Sequence, residues 1–138
     1  MKNELKNCSY LVVDDDDFTC QAIANVLEKI GCSKTFYTSD SEEAYHIAHQ
    51  NRPDFVLLDI YMPETDGWTL LKRLRQVSPD SVFVMVTSST QLADLKESLN
   101  LRADGYCIKP VLPYSLSKIL NKARSNRMNR HSQKLNFE

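Results

Sequence analysis

Apolar positions along the chain fall into two alternating patterns. The first is a short, unbroken apolar run: Tyr10-Leu11-Val12-Val13, Phe55-Val56-Leu57-Leu58 and Val82-Phe83-Val84-Met85-Val86. Such runs predict strands buried on both faces, as in a parallel sheet. Lys34-Thr35-Phe36-Tyr37 and Gly105-Tyr106-Cys107-Ile108 predict two further short strands. The second pattern is helical spacing. Ala22, Val26, Leu27 and Ile30 mark a helix from Phe18 to Ile30, stopped by Gly31. Asp40 and Glu43 read as a capping box before a helix carrying Ala44, Ile47 and Ala48. Asp66-Gly67 opens a helix with Leu70, Leu71 and Leu74 that ends near Ser78-Pro79-Asp80. Leu92, Leu95 and Leu99 mark a fourth helix. Pro113 opens a fifth, with Leu116, Ile119, Leu120 and Ala123 on its inner side. Beyond about Arg124 the period fades into a polar tail.

Five strand–helix units joined by short links predict an α/β fold: a parallel sheet covered by helices on both faces, with right-handed crossovers. There is no internal repeat and no long linker. At 138 residues the chain makes one domain, long enough to bury a core without disulfides or structural metal.

Composition narrows the function only slightly. The net charge of −1 points to neither nucleic acid nor a membrane surface. The charge is uneven: Lys122, Arg124, Arg127, Arg130 and Lys134 stand against Glu138 alone, which makes residues 121–138 basic. A short basic end of this kind reads as a solvated tail rather than a nucleic-acid contact. Cys8, Cys20, Cys32 and Cys107 form no CxxC pair and have no histidine pair beside them, so zinc is not expected. No apolar run reaches the roughly 18–20 residues that span a bilayer. With no signal peptide in the sequence, the expected location is the cytoplasm, where the cysteines stay reduced.

The chemistry gathers where the strands end. The first strand delivers Asp14 and Asp15, the third Asp59, the fourth Thr87 and the fifth Lys109. Each alone has an ordinary reading as a cap, a turn residue or a surface charge. Together they occupy one edge of the sheet, because parallel strands all point the same way, and that edge is where open α/β sheets bind ligands. Three carboxylates so close resist full ionisation. A divalent cation together with Lys109 balances them, and an all-oxygen donor set suits Mg²⁺. Such a site can bring a phosphoryl group onto a carboxylate. Only Gly31, Gly67 and Gly105 are present, so no glycine-rich nucleotide loop can be written.

Taken in order, Val-Val-Asp-Asp-Asp, Asp59-Ile-Tyr-Met-Pro-Glu-Thr-Asp-Gly, Val-Thr-Ser and Gly-Tyr-Cys-Ile-Lys-Pro resemble the receiver domain of two-component response regulators. The resemblance spans residues 8–124 and leaves 125–138 as a basic polar tail or the start of a linker to an absent output domain. It implies a flavodoxin-like (βα)5 three-layer sandwich with sheet order 2-1-3-4-5. It also implies that Asp59 accepts a phosphoryl group from a phosphohistidine of a sensor histidine kinase or histidine phosphotransfer protein. Asp14, Asp15, Asp59 and the Tyr61 carbonyl then hold Mg²⁺, Thr87 and Lys109 contact the phosphoryl group, and Thr87 with Tyr106 forms the switch. A cis Lys109-Pro110 bond is expected on the same ground. The face of helix 4, strand 5 and helix 5 should meet an output domain, a downstream protein or a second copy. No membrane contact and no direct nucleic-acid contact is implied for this domain. Beyond a marginal self-phosphorylation and self-dephosphorylation, the resemblance implies no enzyme activity.

Some positions modify this picture. Asp17 lies where the first helix begins and reads as its N-cap or a dipole partner. Tyr61 and Ser89 stand where phosphoryl hydrolysis is tuned, and a bulky Tyr61 predicts a long-lived phosphoryl group. Two other readings of the same residues are available. A phosphatase of the haloacid-dehalogenase type needs Asp-x-Asp, which Asp59-Ile60-Tyr61 lacks. A receiver-like interaction module working without phosphorylation remains open, although the residues whose loss marks such modules are all present.

Overall fold

In a computed structural model of the protein, which describes residues 5–32 and 34–137, five parallel strands form a single sheet. The strands are β1 (Ser9–Val13), β2 (Lys34–Thr38), β3 (Phe55–Leu58), β4 (Val82–Thr87) and β5 (Gly105–Ile108), in spatial order β2-β1-β3-β4-β5. Five helices alternate with them: α1 (Asp17–Ile30), α2 (Ser41–Asn51), α3 (Gly67–Val77), α4 (Leu92–Asn100) and α5 (Pro113–Phe137). This is the flavodoxin-like sandwich with its 2-1-3-4-5 sheet.

Because side chains alternate along a strand, each apolar run feeds two cores. Tyr10, Val12, Phe55, Leu57, Val84 and Val86 meet α1 and α5 on one face. Leu11, Val13, Val56, Leu58, Phe83 and Met85 meet α2 and α3 on the other. The central strands are therefore apolar up to Thr87, the last residue of β4, and every residue of β3 and β4 is buried.

Local chemistry sets the helix ends. Asp66 caps α3 through the Thr69 N–H at 2.8 Å. Gly67 is required by close approach, because a Cβ there would lie 2.2 Å from the Asp59 carbonyl oxygen. Gly31 closes α1 in the left-handed region at φ 106°. Of the two roles open to Asp17, the second is found: Asp16 caps α1, accepting from the Phe18 N–H at 3.2 Å, and Asp17 stands in the first turn, where its charge favours the helix dipole. Two expectations are corrected. At α2, Asp40 caps as expected, but Glu43 accepts from the Thr38 hydroxyl, and that hydroxyl in turn serves the Asp40 N–H at 3.0 Å. Thr38 is thus inserted into the predicted capping box. Finally, α5 continues to Phe137 instead of ending near Arg124. No Gly or Pro follows Pro113 to stop it. Its extension is tied down: Asn126 donates to the Asp104 carbonyl at 3.0 Å, and Arg127 donates to the Pro79 carbonyl and lies 3.8 Å from Asp80.

α4 differs from its neighbours. Its buried residues are Asp94 and Ser98, while Leu92 (63% exposed), Leu95 (39%) and Leu99 (66%) face outward. No described helix is long and apolar enough to cross a membrane.

Candidate functional site

Strand register brings the predicted residues together. Val13 pairs with Leu58, and Leu58 with Met85, so the residues that follow β1 and β3 emerge side by side. The Asp59 N–H donates to the Val13 carbonyl at 3.0 Å, continuing the ladder past the last strand residue. Thr87 pairs with Ile108, and the Lys109 N–H donates to the Thr87 carbonyl at 2.8 Å. The Lys109-Pro110 bond is cis, as expected.

At this edge the Lys109 ammonium donates to Asp14 at 2.6 Å and to Asp59 at 3.3 Å. Asp14 and Asp59 are buried and Asp15 is exposed, yet one carboxylate oxygen from each of the three lies within 4.8 Å of the others. Burial raises the Asp59 carboxyl above its usual range; Lys109 opposes the shift and Asp14 adds to it. Partial burial also raises Asp15, with Asp14 beside it contributing. For Lys109 burial alone would lower the ammonium, but its bonds to Asp14 and Asp59 prevail and raise it. Three carboxylates facing one ammonium leave the pocket with a deficit of positive charge. The donor set, all oxygen and two-thirds buried, fits a hard divalent cation.

The chain matches the family model of the response regulator receiver domain over residues 10–121. It belongs to that family. The receiver is similar to a probable transcriptional regulator, ycf27, of Guillardia theta, being 38% identical over 106 residues that make up 77% of this chain and 41% of that one. The chemotaxis protein CheY of Thermotoga maritima is 27% identical over 112 residues, covering 81% of this chain and 93% of that one. Among solved structures, a two-component response regulator from Clostridium difficile superimposes with a TM-score of 0.77 at 30% identity, covering 88% of this chain and 98% of that one. The chain spans about half the length of the transcriptional regulators it matches. Receiver domains are signalling domains of two-component systems and generally not enzymes.

The remaining predicted residues of this receiver stand at the rim. Thr87 is buried, and its hydroxyl accepts from the Ser89 N–H at 3.3 Å. The Tyr61 N–H donates to Asp59 at 3.4 Å, a long bond that holds the Tyr61 backbone against the pocket. Its side chain is 55% exposed, and its phenol donates to Asp94 at 2.5 Å. Tyr106 is half-buried against the α3-side core, and its hydroxyl donates to the Ser89 carbonyl at 3.2 Å.

Two residues of the site's surroundings escaped sequence reasoning. Asp94 sits among leucines in the first turn of α4, where an acidic residue reads simply as favourable to the helix dipole. Arg75 of α3 donates to the Leu101 and Arg102 carbonyls at 2.7 and 3.0 Å, closing the far end of α4. Neither bond leaves a local pattern, because the partners lie 33 and 26 residues apart in the chain.

Proposed function

We propose that this receiver is a phosphorylation-dependent switch in which Asp59 takes a phosphoryl group from the phosphohistidine of a sensor histidine kinase or a histidine phosphotransfer protein. The observation that carries the reading is the Asp14–Asp15–Asp59 cluster answered by Lys109 at 2.6 and 3.3 Å. In the transfer an Asp59 oxygen attacks phosphorus, the P–N bond breaks, and the imidazole leaves with the electron pair. Asp14, Asp15 and Asp59, with the Tyr61 carbonyl, would hold Mg²⁺. When bound, Mg²⁺ neutralises charge on the phosphoryl oxygens. Lys109 supplies a fixed positive charge to the same oxygens, and its bond to Asp14 keeps it aimed there. Thr87 stands one register step beyond Asp59 and would donate its hydroxyl to the new phosphoryl group.

Phosphorylation adds charge and three acceptor oxygens to a pocket that already gathers three carboxylates. Turning Thr87 toward them draws on the Ser89 backbone, and Ser89 also receives the Tyr106 hydroxyl. Thr87 and Tyr106 are therefore connected through one residue, which supports the switch role of the pair. The output surface is the face of α4, β5 and α5, where Leu92, Leu95, Leu99 and Ile108 are exposed. It would take an output domain, a downstream protein or a second copy of the receiver, through differential affinity for the phosphorylated state. Like its relatives in two-component signalling, it would work in the cytoplasm.

Intact-mass spectrometry after incubation with Mg²⁺ and acetyl phosphate tests the reading. One added phosphoryl group is expected, not formed when EDTA is present and absent in Asp59→Asn. No adduct, with Mg²⁺ still binding, would overturn it in favour of an interaction module that signals without phosphorylation.

A further inference from the structure

Asp94 is a buried carboxylate, 9% exposed, on a helix that buries no apolar side chain. One of its oxygens accepts two short bonds, from the Tyr61 phenol and from the Ser89 hydroxyl, both at 2.5 Å. An acidic residue at this place in a helix ordinarily serves the helix's own first N–H groups. Here the Gln91 N–H is served by the Ser89 hydroxyl instead, at 3.2 Å. The Asp94 carboxylate is thus committed to two residues outside α4.

Those two residues hold matching places. Tyr61 lies two residues beyond Asp59, and Ser89 two residues beyond Thr87. Their backbone N–H groups reach back to Asp59 and to Thr87. Asp94 therefore joins a chain of bonds that starts at the phosphoacceptor, runs through Tyr61 to α4, and returns through Ser89 to Thr87. Without its phenolic anchor the half-exposed Tyr61 side chain would be free to change rotamer. Hydrogen bonding to the Asp94 carboxylate also raises the Tyr61 hydroxyl above its usual range.

We propose that Asp94 is a positioning residue of the phosphorylation pocket, holding Tyr61 and Ser89 beside Asp59 and Thr87 and so slowing hydrolysis of the phosphorylated Asp59. The proposal rests on Asp59 being the phosphoacceptor. In that hydrolysis the water oxygen forms a bond to phosphorus while the P–O bond to Asp59 breaks. The carboxylate leaves with the electron pair, inorganic phosphate departs, and a water proton passes to solvent. The attacking water must come in line, opposite the Asp59 oxygen, and a Tyr61 side chain fixed two residues from Asp59 would restrict that approach.

The test compares the full chain with Tyr61→Phe, Asp94→Ala, Asp94→Asn and the Tyr61→Phe/Asp94→Ala double variant. Each is phosphorylated with acetyl phosphate and Mg²⁺ and desalted, and the loss of the added mass is followed in time. Tyr61→Phe keeps the ring and removes only its anchor. Tyr61→Phe and Asp94→Ala should each shorten the half-life roughly three- to ten-fold, as misplacement of a positioned group does. The double variant should match Asp94→Ala alone, because both changes break the same bond. Asp94→Asn keeps an acceptor oxygen and should stay within about two-fold of the parent. A parent half-life in Asp94→Ala, or two effects that multiply, would overturn the proposal. Where Asp94→Ala does not fold, Tyr61→Phe decides: a parent half-life in that variant overturns it equally. Failure of the parent chain to take up any phosphoryl group would overturn the phosphoacceptor reading and this proposal with it, whereas normal uptake with unchanged decay overturns the role of Asp94 alone.

Discussion

α3 and α4 follow one another on the same side of the molecule, and both carry three leucines at helical spacing. α3 turns Leu70, Leu71 and Leu74 into the core between β3 and β4. α4 turns Leu92, Leu95 and Leu99 outward and buries Asp94 and Ser98. The first helix is held by apolar area removed from water, which no single bond controls. The second is held at its two ends, by Asp94 to Tyr61 and Ser89, and by Arg75 to the Leu101 and Arg102 carbonyls. Bonds of that kind are directional and switch on and off, so a helix they hold can be released by a change at one end. The pocket lies at one of those ends. The switch proposed above would draw on such a releasable element, and α4 is held as one while α3 is held as foundation.

The contrast is broken most severely from the α3 side. Leu74 is wholly buried, so Leu74→Ala should cost about 3 kcal/mol from lost transfer energy and the cavity left behind. Urea unfolding would register this as a lower midpoint at unchanged slope. A loss below about 1 kcal/mol would mean that α3 is not held by its leucines.

A smaller effect with a different signature is expected at Arg75. Arg75→Ala removes two charge-assisted bonds to carbonyls and should cost about 1–2 kcal/mol. The loss should be local. Hydrogen exchange should accelerate across residues 92–102 while the amides of α3 keep their protection, although the substituted residue lies on α3 itself. Equal acceleration in both helices would show that α4 is not separately held.

The same two helices mark how far the sequence could be read. The three central strands were legible because a strand buried on both faces writes itself as an unbroken apolar run, and Asp14, Asp59 and Thr87 were legible because each follows such a run directly, as Lys109 follows the half-exposed β5. Their meeting at one edge then required only that the strands be parallel. Asp66 and Asp40 were legible as caps because capping is local. The orientation of α4 was not. Periodicity tells which residues share a face, not which way that face points, and what turns the leucines outward is a carboxylate bonded to a tyrosine 33 residues away. The end of α5 was misread for a related reason: loss of apolar spacing ends a buried stripe, but a helix ends only where its backbone is interrupted.

The smallest effect sharpens the comparison most. Leu99 has the spacing of a core residue and 66% of its surface in water. Leu99→Ser removes an apolar side chain that is already mostly hydrated, so the unfolding midpoint should move by no more than about 0.5 kcal/mol. The same change at Leu74 would bury a hydroxyl where nothing in the apolar core receives it, adding a polar penalty to the cavity. If the α4, β5 and α5 face takes a partner, Leu99→Ser should instead weaken that contact, since an exposed leucine with no role in stability is free to serve binding. Stability unmoved while partner affinity falls is the result expected of a helix whose apolar stripe belongs to the outside. A loss of several kcal/mol in the isolated receiver would place Leu99 back in the core and remove the distinction between the two helices.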